Sequence, residues 1–172
     1  QIRQLFDKPW DNPRAQAMVD WVNAYNGKLV VWARFREDIR QISEVLSHET
    51  QPHVTYYGAT STKDRTAAVA RFLDDGPESA RIFVSTPAAG GTGLNLQGGC
   101  NRVLYYSNSD NSIDRWQSED RTHRIGTNGI VTYTDLIGKG SSDRKILRNL
   151  SGKKSLSEMA LSEVRDWLDE AE

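Results

Sequence analysis

Cysteine is nearly absent: Cys100 is the single one in 172 residues. That excludes an internal disulfide and any cysteine-rich zinc site, and it fits a reducing compartment. No apolar run approaches the ~18 residues that a membrane span needs, and the N-terminal residues lack a signal-peptide pattern. A soluble protein is expected. Charge of one sign is also missing. The net charge is −1, so no strong overall field draws the chain to nucleic acid or to an anionic membrane, and such contacts need a local basic surface. No Ser-His-Asp or Cys-His arrangement falls on suitable loops, which argues against a free-standing hydrolase. The chain opens on Gln1 rather than Met, and Pro9 to Pro13 reads as a lead-in loop. The expectation is a piece excised from something longer.

What is present is enough apolar residue for a core. At 37% hydrophobic and 26% charged, the composition fits one globular domain. Beta-branched runs alternate with amphipathic stretches, the pattern of crossover units around a mainly parallel sheet. Strands are predicted at Lys28 to Ala33, His53 to Tyr57, Arg81 to Ser85, Arg102 to Tyr106 and Ile130 to Leu136. Helices are predicted at Ala15 to Tyr25, at Glu37 to Ser47 with Ile39, Ile42, Val45 and Leu46 on one face, and from Ser61 to Phe72 behind a capping box made with Asp64. A further helix runs from about Ser112 to His123. Ser142 to Leu150 and Leu156 to Leu168 read as closing helices. The expected organisation is a lead-in segment over 1–14, an α/β lobe over 15–150 and a closing helix over 151–172.

Two segments carry chemistry. Ser85 to Leu96 follows a predicted strand and holds Gly90, Gly91 and Gly93, so backbone can approach a ligand closely and bare amides can face phosphate. A tight surface turn would look the same. A dinucleotide fingerprint fails, because Leu96 stands where its last glycine belongs. The second segment, Gln117 to Gly126, puts Arg121 and Arg124 three apart on a predicted helix, where two guanidinium forks can share one anionic target. Ordinary surface pairs with Glu119 and Asp120 are the alternative.

In wording and order these segments resemble the C-terminal RecA-like lobe of superfamily 2 helicases, in the Swi/Snf-type, chromatin-remodeller-like branch. Lys28 to Phe35 looks like motif IV. Tyr57 to Ser61 with Arg65 and Phe72 looks like the block that follows it, Ser85 to Leu96 like motif V, and Gln117 to Gly126 like motif VI. The resemblance implies a three-layer α/β fold. It also implies that Arg121 and Arg124 are arginine fingers for the γ-phosphate of ATP, with Gln117 orienting in the same cleft and Gly93 and Asn95 touching the nucleotide. Arg34, Thr60, Ser61, Thr86, Gly90 and Gly91 fall where related lobes hold a DNA backbone. The implied partners are the N-terminal helicase lobe and DNA, double-stranded by the remodeller-like wording.

Three departures mark a compact branch of the bacterial or phage kind, which would place the protein in a cytoplasm. The loop after Thr86 is one residue longer than usual, Asp110-Asn111-Ser112 replaces Trp-Asn-Pro, and Thr127 replaces Gln. A motor also needs a Walker A lysine and a carboxylate for magnesium, and neither is present. Gly152-Lys153-Lys154-Ser155 lacks the right spacing, and Asp169 to Glu172 ends a charged helix instead of following a strand. ATP and Mg2+ are therefore expected on the other lobe, and the chain alone is expected to have little or no ATPase activity. The alternative is a binding module without catalysis that keeps helicase features as relics. Trp32, Tyr56, Tyr57, Tyr105 and Tyr106 read as core, as do the tryptophans on helices. His48 and His53 lack a matching carboxylate set for a metal.

Overall fold

The strands are short runs of β-branched and aromatic residues that end at polar ones. In a computed structural model, which describes residues 7–58, 60–89, 96, 100–122 and 130–153, these runs form β1 (Leu29–Trp32), β2 (His53–Tyr56), β3 (Ile82–Ser85), β4 (Arg102–Tyr105) and β5 (Thr132–Asp135). They pair in the order β2-β3-β1-β4-β5, and every pairing is parallel. Each predicted strand is found, trimmed by one or more residues. Ladder-type bonds nevertheless continue past the ends: Ala33 donates to the Ser85 carbonyl, Tyr106 to Trp32 and Leu136 to Tyr105. β1 and β3 are buried along their whole length, as continuous apolar runs in a sheet covered on both faces must be.

Helices supply the covers among the described residues. α1 (Pro13–Asn23) starts two residues before the expected Ala15, because the Asn12 side chain accepts the Arg14 amide at 3.0 Å and Pro13 fills a first-turn position whose N–H would go unused. α2 (Arg36–His48) buries the predicted stripe of Ile39, Ile42, Val45 and Leu46. α3 (Thr62–Leu73) is capped by Ser61, whose Oγ accepts the Asp64 amide at 3.2 Å and donates to the Asp64 carboxylate at 2.7 Å. The carboxylate thus takes the cap hydroxyl rather than the cap amide. α4 (Ser112–Thr122) connects β4 to β5, and residues 143–153 are helical.

Side chains alternate along the strands and split the core in two. Leu29, Val31, Ala33, Ile82 and Val84 pack with α1 and α2. Val30, Trp32, Phe83 and Val103 pack on the other face with Ala68 and Phe72 of α3. The result is the expected three-layer α/β fold. Connections that move toward the β2 edge use the α2 face, and those that move back use the α3 face, as right-handed crossovers demand. The aromatic readings hold for Trp32, Tyr56, Tyr105 and Tyr106, all buried. Trp10 stacks on His48 at 4.4 Å between ring centroids, and Trp21 donates to Thr134 Oγ1 at 3.3 Å.

Polar locks tie the layers at the carboxyl ends of the strands. Arg14 of α1 donates to the Tyr106 carbonyl at 2.6 Å and pairs with Asp143. Burial alone would raise the Asp143 pKa. The Gly138 amide, the Ser141 hydroxyl and Arg14 more than offset this, and the net direction is down. The Ser107 hydroxyl accepts the Arg34 amide at 2.8 Å and donates to the Asp38 carboxylate at 2.6 Å, so one side chain joins the segments after β1 and β4 to the start of α2.

Two outcomes are expected. Phe72 is fully buried, 5.3 Å from Phe83 between ring centroids, so Phe72→Ala should lower the unfolding free energy by about 3–5 kcal/mol in urea titration. Burial also holds the Asp38 carboxyl above its ordinary value of 3.8. The folded state therefore favours the protonated form, a contribution complete below the ordinary value and lost as pH rises through the raised one. Asp38→Asn keeps an acceptor for Ser107 and cannot ionise. Its stability relative to the parent should rise as pH increases through and above the ordinary carboxylate range of about 4, and a pH-independent difference would contradict this.

Candidate functional site

β1 and β4 are hydrogen-bonded neighbours whose outgoing connections diverge. α2 carries the chain from β1 toward β2 at one edge of the sheet, and α4 carries it from β4 to β5 at the other. That divergence opens a crevice at the carboxyl ends of the strands, the place where open α/β sheets bind ligands. A cavity of about 40 Å³ lies there, and its lining includes Arg34, Thr86, Ser107, Asn108, Asp114 and Arg115. Its size suits a few waters or one anionic oxygen group, not a whole nucleotide.

The crevice brings together two of the residues expected to touch a backbone. Arg34 is the second residue beyond β1. It is exposed, gives its amide to Ser107, and lays its guanidinium 4.9 Å from the Phe35 ring centroid. Thr86 directly follows β3, and its Oγ1 accepts the Ala89 amide at 3.2 Å. Thr60 and Ser61 do not line this cavity. They follow β2, two strand positions from β1, or roughly 10 Å along the same edge. Arg65 holds their loop by donating to the carbonyls of Tyr57 at 3.3 Å and Gly58 at 2.8 Å. The Thr60 hydroxyl oxygen accepts the Tyr57 amide. Ser61 commits its hydroxyl to the α3 cap, so the first-turn amides of α3 are the better anion donors at that point.

Gln117 and Arg121 form a separate group. They stand four apart on α4, one position off the buried Ser118 and Thr122, so they share a stripe of that helix. Gln117 is exposed and Arg121 is partly buried. Arg115 lines the crevice, so Gln117 stands roughly 3 Å and Arg121 roughly 9 Å along the helix from it. The row at the strand ends and the α4 stripe are adjoining zones on one lobe. Gly90, Gly91, Gly93, Asn95 and Arg124 lie outside the described residues.

Sequence reading missed the group between the two zones. Arg115 donates to both carboxylate oxygens of Asp135, at 2.6 and 3.3 Å, to Glu119 at 2.6 Å and to Asn108 at 3.0 Å. Its guanidinium carbon is 3.4 Å from the Tyr105 ring centroid. Burial alone would favour loss of its proton, but Asp135, Tyr105 and Glu119 more than offset this, and the net shift is upward. Burial likewise pushes up the Tyr105 hydroxyl. Two signals were available: the Arg115 and Glu119 spacing of four, and a carboxylate closing a strand at Asp135. Of the carboxylates near the crevice, Asp135 is engaged by Arg115 and Asn108 and Asp38 by Ser107, while Asp114 lines the cavity itself.

Comparison with known proteins agrees with the fold. The helicase conserved C-terminal domain matches residues 14–126. The ATP-dependent helicase FUN30 of Saccharomyces cerevisiae is 32% identical over 130 residues, which cover 75% of this chain and 11% of that protein. The ATP-dependent helicase fft3 of Schizosaccharomyces pombe is 30% identical over 158 residues, 89% of this chain and 17% of that protein. The chain thus spans a small part of the curated relatives it matches. Among solved structures, the C-terminal part of the Fun30 ATPase domain superposes with a TM-score of 0.76 at 27% identity, covering 84% of this chain and 47% of that one. These relatives are of the Swi/Snf type. With its parallel five-stranded sheet and ordered motifs, the chain belongs to the helicase conserved C-terminal domain family.

Proposed function

We propose that this chain is the C-terminal motor lobe of an ATP-dependent DNA helicase or translocase, and that it completes an ATPase site whose phosphate-holding half lies on the N-terminal lobe. The observation that carries the reading is that two adjoining zones share one lobe. A row of hydroxyls and a cation runs along the strand ends, and Gln117 and Arg121 share a stripe of α4.

In this reading Arg121 and Arg124 meet the γ-phosphate when the lobes close. Charge that accumulates on a transferring phosphoryl group is stabilised by a guanidinium brought in at closure, and such a finger typically gives ~10³ to 10⁵ in rate. Gln117 orients within the same cleft, and Gly93 and Asn95 contact the nucleotide. Arg34, Thr60, Ser61, Thr86, Gly90 and Gly91 hold the backbone of one strand, with Arg34 as the charge and the hydroxyls and amides as neutral donors. Mg2+ belongs to the N-terminal lobe, which supplies the Walker A lysine and the metal carboxylate. Double-stranded DNA is the substrate that the Swi/Snf-type motif wording favours. The departures after Thr86, at Asp110 to Ser112 and at Thr127 fit a compact bacterial or phage branch acting in the cytoplasm.

The test is Arg121→Ala in the two-lobe protein. Turnover at saturating ATP and DNA should fall about 10³-fold or more, while ATP affinity, measured by fluorescence titration, stays within about three-fold because the other lobe does the holding. Turnover that survives the substitution would remove the finger role.

A further inference from the structure

α4 is fastened to the sheet unlike the other helices. α1 buries Met18 and Val22, α2 buries Ile39, Ile42, Val45 and Leu46, and α3 buries Phe72. The buried residues of α4 are Ser118 and Thr122. Ser118 gives its hydroxyl to the Arg115 carbonyl at 2.7 Å, so at 2.7 Å from Tyr105 it accepts the phenol proton. Thr122 meets the Tyr133 hydroxyl at 3.2 Å, and that phenol lies 3.2 Å from the Glu119 carbonyl. Arg115 adds the charged fork to Asp135. An apolar stripe is held by non-directional contacts. A set of directional, charge-assisted bonds fixes axial position, and the rigid guanidinium fork fixes it most strongly.

These bonds lead back to the crevice. Asn108 accepts from Arg115 and donates to Asp135 at 2.7 Å. It also lines the cavity beside Ser107, which holds the Arg34 amide. Arg115 is three residues into α4, and Arg121 is six further on, roughly 9 Å down the helix.

We propose that Arg115, through Asn108, is the positioning residue that sets α4, and with it Gln117 and Arg121, according to the state of the nucleic-acid crevice. The inference rests on the finger reading above. Arg115 also lines the crevice beside Asn108, and its role here is positional. It places the helix that does the electrostatic work, and Asn108 reports whether the crevice is filled.

The experiment uses the two-lobe protein with duplex DNA and measures kcat, KM for ATP and half-saturating DNA concentration, alongside thermal unfolding. Arg115→Met should lower kcat at saturating duplex about ten-fold, within the usual range of coupling between sites, with KM for ATP within about two-fold. Asn108→Ala should produce the same kcat loss, and the double variant should be no worse than either single one, because both act on one link. If Arg115→Met does not fold, Arg115→Lys and Asn108→Ala carry the test. Lys keeps the charge without the fork and should also lose kcat. Unchanged kcat in the folded variants, or losses that multiply in the double variant, would overturn the proposal. Arg121→Ala is run in parallel. Its survival would remove the finger reading and this inference with it, whereas its failure beside a fully active Arg115→Met would remove only the inference.

Discussion

The arrangement depends on one topological constraint: β1 is central, and its neighbour β4 sends its connection the opposite way. Right-handed crossovers then put α2 and α4 on opposite faces, and the two segments after β1 and β4 have to part at the carboxyl ends. Ser107, on the β4 side of that parting, binds both the Arg34 amide and the Asp38 carboxylate of the β1 side. The crevice is thus a consequence of strand order. The residues around it tune what it can hold.

Energetics divide the lobe into a rigid half and an adjustable one. The α2 face is closed by Ile, Val and Leu against a buried sheet, a contact that resists opening because every displaced side chain leaves a void. α4 is held by hydroxyls, a phenol and an ion cluster. Arg115, Glu119 and Asp135 have side chains 13%, 22% and 20% exposed, near enough to water for their pairing to be remade. The proposed motor role, with a change of state each cycle, calls for one helix whose seat is specific yet reversible. Directional bonds at a partly wetted surface give that, whereas a dry apolar seat gives specificity without reversibility.

Most of the fold was legible because its signals are local. The β-branched runs, the Ile39, Ile42, Val45 and Leu46 stripe, and the Ser61 cap each declare themselves within a few residues. The start of α1 was equally readable, since Asn12 followed by Pro13 is a helix opening. What could not be read were the polar locks, whose partners are far apart in the chain: Arg14 and Asp143, Asp38 and Ser107, Asn108 and Asp135. A charged residue carries no local mark of its partner, and only the sheet order brings these together. For the site, motif order proposed Arg34, Thr86, Gln117 and Arg121 as candidates. That order could not say that the first two share a cavity while the last two stand on the helix that borders it.

The most direct measurement is ATP hydrolysis by this chain alone and by the two-lobe protein, each without DNA, with single-stranded DNA and with duplex. The account predicts hydrolysis only when both lobes are present, with the largest stimulation by duplex. Hydrolysis by the 172-residue chain alone would mean a complete phosphate site within it and would contradict the division of labour between lobes.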